Sequence, residues 1–138
     1  GCRMYGGGVS VVTATDLGFF SDEVWSNVAG STLVLLESNH DPDMLRANPR
    51  YTAALKARIL GDHGHLSNEA CADELLRLII AGTSNVILGH LSGENNTPTL
   101  ARKVSAGALE REGIREGVDI SLQVALRDEP GSVYILRE

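Results

Sequence analysis

No apolar run in the sequence approaches the ~20 residues that a membrane-spanning helix requires. No basic segment followed by an apolar one opens it, so a secretory leader is not expected either. Cysteine is scarce: Cys2 and Cys71 stand at no framework spacing, which argues against a disulfide-stapled fold and for reduced thiols in a cytoplasmic protein. Cys71 falls within a helical pattern and reads as a small core residue. An excess of basic residues is also missing. Lysine and arginine number 12 against 18 acidic residues, a formal charge of −6, which disfavours a polyanion binder held by bulk charge alone. A nuclease stays open, because a metal site supplies positive charge locally. Neither an internal repeat nor a low-complexity linker divides the chain.

What is present is an ordinary globular balance, 43% hydrophobic and 22% charged over 138 residues, enough for one domain with a core. The opening residues, GCRMYGGG, lack an initiator Met at position 1 and are expected to run into the first strand with no element before it. The glycines at 6–8 precede a strand rather than a helix, so they read as a β-turn and not as a phosphate loop. Buried strands are predicted at 9–14, 33–36 and 86–88 from short β-branched or leucine-rich runs. Helices are predicted over 22–29 behind a Ser21 cap, over 67–81 behind Ser67, and from Pro98 to about 112 behind Thr97. A short helical turn is expected at 41–47. Asn48-Pro49 suggests the cap and first residue of another helix, ending near Leu60. Further strands are expected at 119–126 and 132–136. Strands that alternate with helices define an α/β class.

The informative regularity lies just past each apolar strand. The first ends at Thr15-Asp16-Leu17-Gly18, the second at Glu37-Ser38-Asn39-His40-Asp41, and the third at Gly89-His90-Leu91-Ser92. His63 and His65 occupy the loop before a helix, so all four histidines lie in these segments. Functional groups of α/β sheets gather beyond the carboxyl ends of strands. Imidazole with carboxylate is the ligand set of zinc, manganese or iron hydrolases, in which a metal-bound water provides hydroxide near neutral pH. Each residue also has a plainer reading. Asp16 suits a turn, His90 a hydrogen-bonded strand end, Glu37 a structural ion pair and His63 a solvated loop. Lys56 and Arg58 read as a solvated helix face, with contact to substrate phosphates as the lesser alternative.

These segments, in this order, resemble the WalJ/YycJ branch of the metallo-β-lactamase superfamily. The combination of ESNHD, GHLSN and LGHLS-x-ENN over about positions 9–104 carries the resemblance, and the residues from about Gly113 onward fit only loosely. It implies an αββα sandwich with a site for two divalent metal ions, zinc or manganese, at one edge. Asp16 and His90 match two of the superfamily's metal ligands. His65 and Glu37 match a histidine–glutamate pair that assists the leaving group. Asn39, His40, Ser67 and Asn68 fall in family-typical positions and are taken as candidates for substrate contact.

The superfamily's H-x-H-x-D-H motif is absent, as is a further histidine expected between it and Asp16. A zinc site takes ~3–4 protein ligands, and the matched positions offer two. The chain is therefore expected to be the C-terminal portion of one metallo-β-lactamase-like domain, catalytically silent by itself and with a sheet face open to self-association. The resemblance implies that the complete protein is a cytoplasmic bacterial metal-dependent phosphodiesterase, a DNA exonuclease with a nucleic-acid partner, and allows a homodimer. A ribonuclease of the tRNA-processing type is the near alternative. A non-catalytic binding or dimerisation module is the distant one. A single-ion site from Asp16, His90 and His40 is a third arrangement.

Overall fold

The structure, a computed structural model, describes residues 1–137. Its centre is a five-stranded sheet in the order β1-β2-β3-β4-β5, made of β1 (Cys2–Gly6), β2 (Val9–Ala14), β3 (Leu33–Glu37), β4 (Asn85–Gly89) and β5 (Ser121–Val124). Strands β2 to β5 are parallel and lie side by side in sequence order, while β1 pairs antiparallel with β2. The α/β class expected from the sequence is the one found. Between the strands run α1 (Asp22–Val28), α2 (Pro42–Ala47), α3 (Ala53–Leu60), α4 (Asn68–Ile80) and α5 (Pro98–Arg111).

Every helix begins on a side-chain cap that accepts an amide three residues on: Ser21, Asp41, Thr52, Ser67 and Thr97. These caps satisfy amides that the first turn leaves without partners. One of them corrects the sequence reading. Asn48 and Pro49 do not open α3. Asn48 closes α2, its side chain bonds to Asn95 and to the Arg50 amide, and Thr52 is the cap of α3.

Because parallel crossovers are right-handed, a sheet that advances in one direction carries its crossover helices on one face. Alternate strand residues Val12, Ala14, Val34, Leu36, Val86, Leu88 and Leu122 join Val28 of α1, Cys71, Leu75 and Leu78 of α4 and Ala101 and Leu109 of α5 in one buried cluster. The other face carries Val11, Leu35 and Ile87, each only half-buried, and Met4 at 58% exposure. Parallel sheets ordinarily bury both faces.

Two further expectations change. The opening residues do form a lead-in element: β1 turns back on β2 through Gly7 and Gly8, both at positive φ (54° and 75°), as a two-residue hairpin turn requires. The strand expected at 132–136 does not form. Val133 and Ile135 there are 90% and 77% exposed, and no neighbouring strand pairs with them. No helix among the described residues is long and apolar enough to cross a membrane.

Candidate metal centre

Glu37 is the last residue of β3 and lies beside Gly89, the last residue of β4. By the alternation of the strand its side chain leaves on the sparsely covered face, at the carboxyl edge of the sheet. It is nonetheless fully buried, because three loops close over it. Its Oε1 bonds to Nδ1 of His65 at 2.8 Å and to Nδ1 of His90 at 2.5 Å. Its Oε2 accepts the amides of Leu17 at 3.0 Å and Leu66 at 3.5 Å. One buried carboxylate thus ties together the segments after β2, before α4 and after β4. A buried carboxylate needs such partners, and Glu37 has four.

Above this anchor stand the exposed members. Asp16 Oδ1 lies 3.8 Å from His90 Nε2 and 4.0 Å from His65 Nδ1. Ligating atoms of Asp16, Glu37, His65 and His90 all fall within 4.8 Å of one another. Side-chain exposure rises outward from Glu37 at 0% through His65 at 29% and His90 at 42% to Asp16 at 70%.

Asp16 and His90 share a backbone peculiarity. Both adopt left-handed φ, 59° and 56°, and they are the only non-glycine residues to do so among those described. Such a conformation costs on the order of 1–3 kcal/mol and survives where the surroundings enforce it. For His90 part of the enforcement is visible: Asn39 Nδ2 donates to the His90 carbonyl at 2.8 Å. Two residues after Asp16, a Cβ on Gly18 would lie 2.3 Å from the Asp62 carbonyl oxygen. Only glycine lets the loop after β2 pack backbone to backbone against the loop that carries His65.

These residues fit a metal ion. Donors bound to one ion at ~2.1 Å stand roughly 3.5 Å apart, close to the separation of Asp16 Oδ1 from His90 Nε2. With Nδ1 of His90 held by Glu37, Nε2 is the nitrogen left for a metal, the arrangement by which ligating histidines are oriented. Glu37 has its oxygens engaged by four partners, which suits it to orienting the two rings.

The remaining candidates do other things. Asn68 is fully buried and bonds to Ser38 Oγ at 2.7 Å and to Asn96 at 2.9 and 3.0 Å. Asn96 also donates to the carbonyls of Ser38 and Asn39. Ser67 spends its hydroxyl on the cap of α4. His40 is 1% exposed, neither of its ring nitrogens has a hydrogen-bond partner, and it is not part of the metal-ligating cluster. Burial holds its ring below the ordinary histidine pKa, reinforced by His65 and opposed by Glu37 and Asp41. Of the four proposed substrate contacts only Asn39 borders the open cleft beside the cluster. The single-ion arrangement through His40 is not formed. Beside Asp16, His65 and His90 that cleft has a volume of about 480 Å³ and is also lined by Tyr51, Arg58 and Arg127.

With the geometry in place, the comparisons are direct. Exodeoxyribonuclease WalJ of Streptococcus pneumoniae is 40% identical over 113 residues, which are 82% of this chain and 42% of that protein. Exodeoxyribonuclease YycJ of Bacillus anthracis is 40% identical over 103 residues, 75% of this chain and 39% of the relative. The metallo-β-lactamase fold protein YhfI from Bacillus subtilis superposes with a TM-score of 0.54 at 17% identity, over 89% of this chain and 39% of YhfI. The chain is similar in sequence to the WalJ/YycJ exodeoxyribonucleases and has a metallo-β-lactamase fold. No family model matches it. It spans about two fifths of the length of the curated relatives it matches. The resemblance anticipated the gathering of Asp16, Glu37, His65 and His90. It missed that Glu37 holds both imidazoles, since no spacing in the sequence reveals a shared acceptor.

Proposed function

We propose that this chain contributes Asp16 and His90 as ligands, and His65 with Glu37 as a proton-handling pair, to a metal-dependent phosphodiesterase that degrades DNA from an end. The carrying observation is the pair of bonds from one buried Glu37 oxygen to Nδ1 of His65 and Nδ1 of His90. A divalent ion, zinc or manganese, held by Asp16 and His90 would supply Lewis acidity and an activated water near neutral pH. The residues of the chain do the rest. Glu37 fixes the planes of both rings, so that His90 presents Nε2 beside Asp16. His65, protonated and held through Nδ1, delivers the Nε2 proton to the alcohol oxygen that departs from phosphorus. Two ligands are fewer than the ~3–4 of a zinc site, so further donors from outside these residues, and a second ion, belong to the proposal. The printed names of both relatives favour DNA over RNA as substrate.

In the protein that carries these residues, His90→Ala abolishes metal-dependent hydrolysis of an end-labelled DNA strand. Retention of most of the activity overturns the assignment. His65→Ala lowers turnover by about 10²–10⁴-fold while bound metal stays nearly unchanged. Metal loss in that variant, measured by elemental analysis, would make His65 a ligand instead. A non-catalytic module predicts no stoichiometric metal and no hydrolysis in the unaltered protein.

A further inference from the structure

We propose that Asn39 is a positioning residue for His90: its side-chain amide locks the left-handed turn at His90 in the metal-free protein, so that Nε2 already stands beside Asp16 when an ion arrives. This rests on the reading of Asp16 and His90 as ligands and adds to it the residue that preforms the site.

The first support is a conformation that its own residue does not favour. Glycine takes positive φ at little steric cost. In the turn after β4, however, it is His90, at φ 56°, and not the flanking Gly89 or Gly93, that takes it. A histidine keeps such a backbone only where neighbouring structure enforces it. Glu37 holds the ring through Nδ1, but a bond at the end of a side chain does not fix φ of the main chain. Asn39 holds the other end. Its Nδ2 donates to the His90 carbonyl at 2.8 Å, and its own carbonyl accepts the Ser92 amide at 2.8 Å. The two bonds bracket Leu91 and set the course of the chain directly after His90.

Asn39 is itself held. Its amide donates to the Leu66 carbonyl at 2.9 Å, beside His65, and its carbonyl also accepts Asn96 Nδ2 at 3.1 Å. Asn96 is buried and bonded to the buried Asn68. The donor therefore sits on rigid support, as a group that orients a ligand must. Asn39 follows Glu37 closely at the exit of β3, so one short segment delivers both restraints on His90. The carboxylate holds the ring, and the carboxamide holds the backbone. Although Asn39 borders the cleft, its Nδ2 is engaged within the fold, which favours positioning over substrate contact.

The test uses the whole protein that carries these residues. Asn39→Leu keeps the bulk of the side chain and removes its donor. Asn39→Ala is the second variant, in which no new bulk has to be accommodated. The backbone bonds of residue 39 are common to all the variants. Asn85→Leu is the control: it removes the same kind of bond, Asn85 Nδ2 to the Thr32 carbonyl at 3.0 Å, at the opposite edge of the sheet. In metal-free protein the backbone NMR shifts of His90 report its left-handed φ. They leave that range in both Asn39 variants and stay in place in Asn85→Leu. Affinity for zinc, by competition with a chelator of known affinity, falls about tenfold or more in the Asn39 variants and less than about threefold in Asn85→Leu. Unmoved His90 shifts in the Asn39 variants, unchanged zinc affinity, or an equal loss in Asn85→Leu each overturns the proposal. A raised KM for DNA with His90 shifts and zinc affinity intact also overturns it, and would return Asn39 to substrate contact. No zinc bound by the unaltered protein overturns the ligand reading instead, while moved His90 shifts in the Asn39 variants would still sustain the lock on the turn.

Discussion

Two groups of polar residues meet at the carboxyl edge of the sheet, and they are built in opposite ways. The asparagine group, Ser38, Asn68, Asn95 and Asn96 with Asn48 behind it, is buried and bonded to itself. It ties the segment after β3 to the start of α4 and to the turn after β4. The acid–imidazole group draws on the end of β3, the start of α4 and the turn after β4 as well, adds Asp16 from the loop after β2, and has only Glu37 buried. Asp16, His65 and His90 stand partly in solvent, and two of them hold strained backbone. The contrast separates architecture from chemistry inside motifs that a sequence reader sees as single units. ESNHD gives Glu37 to the centre and Ser38 to the framework. GHLSN gives His65 to the centre, Ser67 to a helix cap and Asn68 to the framework.

The widest separation between the groups comes from one substitution in each. Glu37→Gln removes the charge that orients both rings, and a 10- to 100-fold loss of metal affinity is expected, by titration against a chelator of known affinity. Asn68→Ala leaves Ser38 Oγ and the Asn96 side chain short of partners in a buried site. A loss of about 2–3 kcal/mol of stability is expected in denaturant melts, with metal affinity within about threefold of the unaltered protein. If Asn68→Ala costs metal affinity as heavily as Glu37→Gln does, the two groups are one. A smaller effect tests the strain. Asp16→Gly relieves left-handed φ and should raise stability or leave it level, by up to about 1 kcal/mol, while weakening metal binding. Marked destabilisation would mean that Asp16 serves the fold.

How much of this was legible follows from the physics of each signal. Local chemistry could be read directly. The caps Ser21, Ser67 and Thr97, the buried strands at β2, β3 and β4, and the concentration of Asp16, Glu37, His65 and His90 at strand ends all depend on short windows. Signals that depend on a distant partner could not. Strand β1 has the exposure of an edge and shows no buried alternation, so only its pairing with β2 defines it. The 132–136 segment has strand-like residues and no neighbour to pair with. Asn48 was misread as a cap because its partner, Asn95, lies 47 residues on. Arg58 carried a faint phosphate signal. Arg127 and Tyr51 carried none, since the cleft they share joins segments on either side of α4, β4 and α5.

The last prediction concerns His40, which stands between the two groups and belongs to neither. Buried and without hydrogen bonds to its ring, it is held neutral by desolvation, so its folded pKa lies below the ordinary value of 6.5. In the unfolded chain the same ring takes up a proton as pH falls through about 6.5. The unfolded state then binds more protons than the folded one, so stability rises with pH in this range. The contribution of His40 is fully present above about pH 6.5 and is lost as pH falls from there toward the folded pKa. The difference between two proteins that differ only at this position isolates the His40 share. Denaturant melts at pH 7.5 and 5.5 should show a smaller acid-side loss in His40→Leu than in the unaltered protein. An equal or larger loss in the variant would mean that the ring is charged in the fold and has found a partner after all, which would draw His40 into the acid–imidazole group.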